Sequence, residues 1–77
     1  MTNNDIADCV RRSLNRYIRD LDGEKPCAIY DMVMNSVERS LLEQVMNHAE
    51  GNQTVAAEML GINRNTLRRK LTEYGLS

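Results

Sequence analysis

No stretch of this 77-residue chain approaches the ~18 consecutive apolar residues of a membrane-spanning helix. Its first residues, Met1-Thr2-Asn3-Asn4-Asp5, are polar and acidic and lack the character of a signal peptide. No membrane role is therefore expected, and the cytoplasm is the predicted location. Cysteine is scarce. Cys9 and Cys27 match no metal-ligand spacing, and in a reducing compartment they read as small buried apolar residues. His48 is the one histidine, with no second ligand or nucleophile at a useful distance, and reads as satisfied or solvent-facing. Paired carboxylates, a catalytic cysteine and a glycine-rich loop are all missing. An enzyme is not expected, nor a cofactor, a metal or a small-molecule substrate. There is no strand-like alternation, internal repeat or low-complexity stretch.

What is present is helical. Hydrophobic residues make up 42% of the chain, too many for a disordered tail. The spacing predicts an all-α fold of four helices in one compact domain. The first spans about Asp5 to Leu21, with Asn4 as its N-cap and Ile6, Cys9, Val10, Leu14, Tyr17, Ile18 and Leu21 at helical period. Asp22 to Lys25 break it, and Pro26 suits the first turn of a second helix, where a missing N–H costs nothing. That helix runs to about Ala49, with Gly51 ending it. A third follows Asn52 as far as Leu60, and a fourth runs from Arg64 to Tyr74. The five methionines fall mostly at core spacing. Met32, Val33, Val37, Leu41 and Leu42 form more than one apolar stripe on the second helix. A monomer this small would leave part of that surface wet, which predicts an obligate homodimer with a shared helical core. Residues 1–51 are thus expected to form the dimerisation core and residues 52–77 a helix-turn-helix.

The net charge of −1 conceals an asymmetry. Residues 1–51 sum to −3 and residues 52–77 to +2, with Arg64, Arg68, Arg69 and Lys70 all within seven positions. Phosphate binding acts through a local patch rather than through the total.

The spacing of residues 53–71 has a mechanical reading. Two helices joined by the short turn Gly61-Ile62-Asn63 must cross steeply, so their backbones come close. Ala56 and Ala57 supply small side chains at the crossing, and Gly61 a position where φ can be positive. Leu60, Ile62, Leu67 and Leu71 fill the wedge. This is the helix-turn-helix pattern. Its final helix opens with Asn63, Arg64, Asn65 and Thr66, the positions that meet base edges in the major groove of double-stranded DNA. Asn52, Gln53 and Thr54 open the third helix, where N–H groups and side chains can grip phosphate. The competing reading is a helical adaptor that binds another protein, with a vestigial helix-turn-helix in which Asn63 is only a cap. Such an adaptor has no need of the basic cluster at 64–70.

Gly51-Asn52-Gln53-Thr54, Ala56-Ala57, Gly61-Ile62-Asn63-Arg64, Thr66-Leu67-Arg68, Lys70-Leu71 and Tyr74-Gly75 resemble the C-terminus of the Fis family, bacterial nucleoid-associated factors for inversion stimulation. The likeness extends more loosely over residues 5–77. NtrC-type activators carry the same motif in their DNA-binding tails, but those are large ATPases and this chain has no phosphate-binding loop. The resemblance implies an intertwined dimer with one helix-turn-helix per subunit, acting in transcription regulation and nucleoid organisation. By position it implies base contacts from Asn63, Arg64 and Thr66, and phosphate contacts from Asn52, Gln53, Thr54, Arg68, Arg69 and Lys70. It also implies bending at degenerate, A/T-rich sites, because a compact dimer holds its recognition helices closer than the ~34 Å between successive major-groove faces. Departures are visible. Val55 stands where a basic residue is common, and Thr72 and Glu73 replace lysines, which predicts weaker contact with flanking DNA. Only Met1 to Asn4 precede the expected first helix, so the arm that touches recombinases is expected to be missing, and inversion not to be stimulated.

Overall fold

The computed structural model describes residues 3–77, the first two of these by backbone alone. It contains α1 (Asn3–Asp20), α2 (Ile29–His48), α3 (Gln53–Leu60) and α4 (Arg64–Glu73), and among the described residues there is no strand. The all-α expectation and the order of the helices agree with this. The boundaries agree least at the N-terminal end. The first helix already includes Asn3, so Asn4 lies in its first turn instead of capping it. Pro26 is not in a helix. Ala28, two residues on, takes a left-handed conformation (φ 54°, ψ 37°) and serves as the N-cap of α2 without a side-chain bond. A helix cannot propagate through a left-handed residue, so α2 begins only at Ile29.

The later junctions are built from local hydrogen bonds. At the end of α2 the chain reverses through Glu50 (φ 53°) and Gly51 (φ 81°), and the Gly51 N–H donates to Met46 O at 3.0 Å. Asn52 caps α3: its Oδ1 accepts from Thr54 N at 3.0 Å and Val55 N at 3.2 Å. Gly61 ends α3 at φ 74°, and Ile62 N reaches back to Ala57 O at 3.1 Å, closing a Schellman-type turn. A residue with a Cβ would be strained at that φ. The end of α4 repeats the device, with Leu76 N donating to Leu71 O at 2.8 Å.

The core lies entirely toward the C-terminal end. Leu42, Ala49, Ala56, Ala57, Leu67 and Leu71 are the buried residues, with Val45, Met46, Leu60, Ile62, Tyr74 and Leu76 packed around them. Leu67 and Leu71 are 0% exposed. The alanine pair occupies the α3 crossing as the spacing predicts, since only small side chains leave room for the helices to meet. Residues 5–41, by contrast, contain no buried residue at all. A shallow apolar groove separates α1 from α2, lined by Val10, Leu14 and Tyr17 on one side and Met32, Val33 and Val37 on the other. Two expectations fail here. Cys9 and Cys27 are exposed rather than buried. Of the methionines, Met46 packs on the core, while Met32, Met34 and Met59 are exposed. Helical spacing marks the apolar side of a helix without fixing what stands opposite it, and Cys27 lies in the segment between α1 and α2, outside any helix. The Cα radius of gyration, 15.0 Å, accordingly exceeds the ~11.5 Å of a compact domain of this length.

Candidate nucleic-acid interface

Two helix N-termini open onto solvent at the C-terminal end of the molecule, each with an asparagine cap. Asn52 caps α3 with Gln53 and Thr54 following it, and Asn63 caps α4 through an Oδ1 that accepts from Asn65 N at 2.7 Å. Neither first turn contains an acid. With no acid beside them, the helix dipoles leave both ends positive, a setting that favours an anion. The Asn63 cap uses the amide oxygen alone; the amide nitrogen takes no part in it.

Along α4 the side chains divide by face. Leu67 and Leu71 are buried against α2 and α3. Arg64, Asn65, Arg68 and Arg69 are exposed, with Arg68 Nη2 donating to Asn65 Oδ1 at 3.3 Å. Lys70 and Tyr74, four residues apart, form a half-buried edge that faces α2, and Thr66, one turn earlier, is also half-buried. Gln53 is half-buried, and Asn52, Thr54 and Asn63 are exposed. Eight of the nine expected site residues thus sit on or beside the two N-termini and the outer face of α4.

Lys70 is placed differently. Its Nζ lies 3.0 Å from Glu38 Oε2 on α2, with each side chain about a third exposed (32% and 31%). The Tyr74 hydroxyl donates to the other Glu38 oxygen, Oε1, at 2.7 Å. Arg39, next in sequence, donates from Nη2 to Tyr74 O at 2.8 Å and holds its guanidinium 5.5 Å from the centre of the Tyr74 ring. The Tyr74 hydrogen bond and then the Lys70 ammonium hold the Glu38 carboxyl below its ordinary pKa. The same bond raises the Tyr74 phenol above its own, because ionisation would set two anions against each other. Glu38 and Arg39 were not singled out from the sequence, and Tyr74 only as part of the Tyr74-Gly75 pair that ends the family motif. The residues of α2 and α4 that meet here lie more than thirty positions apart, and no local spacing marks them. Val55 and Glu73 are exposed where the resemblance favours cations, and Thr72 Oγ1 bonds back to Arg68 O at 3.0 Å. His48 is solvent-facing.

Paired short helices, a left-handed glycine turn, an alanine crossing and an outward basic helix define a helix-turn-helix protein. The family model described as bacterial regulatory protein, Fis family, matches residues 34–74. The chain is 58% identical over 76 residues to a Fis-like DNA-binding protein of Ralstonia nicotianae, covering 99% of each. It is 53% identical over 72 residues to a Fis-like DNA-binding protein of Neisseria meningitidis serogroup A, covering 94% of this chain and 91% of that one. It is 49% identical over 71 residues to the DNA-binding protein Fis of Glaesserella parasuis, covering 92% of this chain and 72% of that protein. The chain belongs to the Fis family of bacterial regulatory proteins. A family of regulators agrees with the expectation that it is not an enzyme. Among the described residues no helix is long and apolar enough to cross a membrane.

Proposed function

We propose that this protein is a homodimer that binds and bends double-stranded DNA, acting in transcription regulation and nucleoid organisation in the bacterial cytoplasm. The observation that carries the reading is the outer face of α4, where an acid-free, capped N-terminus leads into exposed Arg64, Arg68 and Arg69. In this reading Arg64 reaches guanine, the Asn63 amide nitrogen donates to a base-edge acceptor, and the Thr66 methyl meets thymine. Asn52, Gln53, Thr54, Arg68 and Arg69 hold phosphates. Lys70 was expected among them, but its ammonium is occupied on α2, and it is left out of the set.

Exposed apolar surface supports the dimer. Ile6, Ile18, Tyr30, Met32, Met34, Val37 and Leu41 are all exposed on α1 and α2. The accessible surface, 6074 Å², exceeds by roughly 1,300 Å² the area expected of a compact monomer of this mass. A standard interface buries about 800 Å² per partner, so a second copy would account for most of that excess. Bending and the A/T-rich preference rest on the family likeness and on the short distance such a dimer would impose between its α4 helices. The test is a titration of A/T-rich and mixed-sequence duplexes at two salt concentrations, with the same duplexes permuted to read curvature. Binding that weakens steeply with salt and a mobility that depends on site position are expected. Salt-insensitive binding or none would favour the adaptor, and uniform mobility would remove the bend.

A further inference from the structure

We propose that Glu38 is a positioning residue for the base-reading face of α4, and that in holding Lys70 it withholds one cation from the DNA backbone. The proposal rests on the DNA-binding reading above and adds to it a residue that touches no DNA.

An exposed ion pair alone is worth little. The Glu38 contact is more than a pair, because its two oxygens are taken by two different residues one turn apart, Lys70 of α4 and Tyr74, the C-cap of that helix. Lys70 takes Oε2 at 3.0 Å and Tyr74 takes Oε1 at 2.7 Å. Arg39 closes the other side, bonding the Tyr74 carbonyl and lying over its ring. In this part of the fold α3 packs against both α2 and α4. Between α2 and α4 stand the buried leucines of the shared core and this polar clamp. Apolar contact sets how near α4 lies but is not directional, whereas hydrogen bonds prescribe an angle. The clamp grips the C-terminal half of α4, and Arg64 stands at the opposite end. Over the ~12 Å between them a tilt of about 5° moves Arg64 by about 1 Å. Base readout tolerates about half that displacement. Attraction to phosphate, which acts over a screening length of about 10 Å, hardly registers it. Loosening the clamp should therefore cost sequence preference and leave general DNA affinity in place.

The experiment compares wild type, Glu38→Gln and Tyr74→Phe on two probes: a duplex enriched by the wild-type protein from a random-sequence pool, and a random-sequence duplex of equal length. Affinities are measured over a series of salt concentrations, with helix content followed by circular dichroism. For Glu38→Gln the ratio of enriched to random affinity should fall at least about fivefold, the scale of one mismatched base pair. Its affinity for the random duplex should hold or rise, and its salt slope should steepen by about 0.9 per chain as Lys70 is released. Tyr74→Phe removes the hydroxyl's bond to Glu38 and its longer contact with Asn35 Oδ1 (3.4 Å), but leaves Lys70 paired. Its ratio should fall by a smaller factor, about twofold, with the slope unchanged. An unchanged ratio in Glu38→Gln overturns the proposal, and so does a loss on both duplexes in proportion to lost helix. Should Glu38→Gln fail to fold, the ratio in Tyr74→Phe decides alone: a fall supports the positioning role and no change overturns it. A wild-type protein that binds neither duplex fails before any variant is compared, which marks the failure as that of the DNA reading itself.

Discussion

The two ends of this molecule are built on opposite terms. From Leu42 to the C-terminus, short helices are capped at each junction and close over six buried residues, two of them with no exposure at all. From Asp5 to Leu41, two longer helices carry as many apolar side chains and bury none of them. The contrast is not one of composition, since both ends contain amphipathic helices. It is one of closure. The C-terminal end folds back on itself within about thirty-five residues, whereas α1 and α2 flank an open groove. One end is a closed unit; the other leaves the apolar sides of its helices uncovered within the chain.

Leu41→Arg tests that contrast most severely. In a monomer Leu41 is 48% exposed, and a surface substitution would shift stability by no more than about 0.5 kcal/mol. In a dimer the same change buries a charge in the shared core. The expected outcome is loss of the folded state, because obligate dimers often lack a stable monomer. Sedimentation and circular dichroism of the variant check it, and a well-folded wild-type monomer at micromolar concentration would break the comparison outright. Leu67→Ala probes the finished end. It removes a side chain that is 0% exposed and should cost about 2–5 kcal/mol in denaturant unfolding. A cost below ~1 kcal/mol would mean that the C-terminal core is no better closed than the groove.

Function should divide within α4 as packing divides between the two ends. Arg64→Ala should lose about 1–3 kcal/mol of binding and relax preference at one base position. Arg69→Ala should weaken all sequences alike and flatten the salt slope by about one. Equal, sequence-independent losses in both variants would erase that division. The smallest effect concerns pH. Glu38 has its pKa lowered by Tyr74 and Lys70, so its contribution is present above the ordinary carboxylate value of ~4.3 and is lost as pH falls toward the lowered one. Tyr74 has its pKa raised by Glu38, so its contribution is present below ~10 and is lost as pH rises through the raised value. The melting temperature of wild type minus that of Glu38→Gln should therefore be flat between those limits and shrink on either side. A difference that grew in acid would contradict the clamp.

The amino-acid sequence by itself determined the elements whose reach is short. Asn52, Gly61 and Asn63 act on partners two to four residues away, so their roles could be read from spacing alone, as could the alanine crossing and the buried Leu67 and Leu71. The likeness to a known family rested on those same local features. What required the tertiary structure was everything that depends on which remote surface a side chain meets. Pro26 fits the first turn of a helix, yet the left-handed Ala28 starts α2 later. Cys9 and Cys27 have a core composition but no neighbour to bury them within one chain. Lys70 looked like one more cation of a basic cluster until Glu38, thirty-two residues earlier, was found within 3.0 Å of it. Periodicity reports the side of a helix on which a residue lies; only the folded chain decides what stands opposite, because that depends on contacts whose separation along the sequence leaves no local mark.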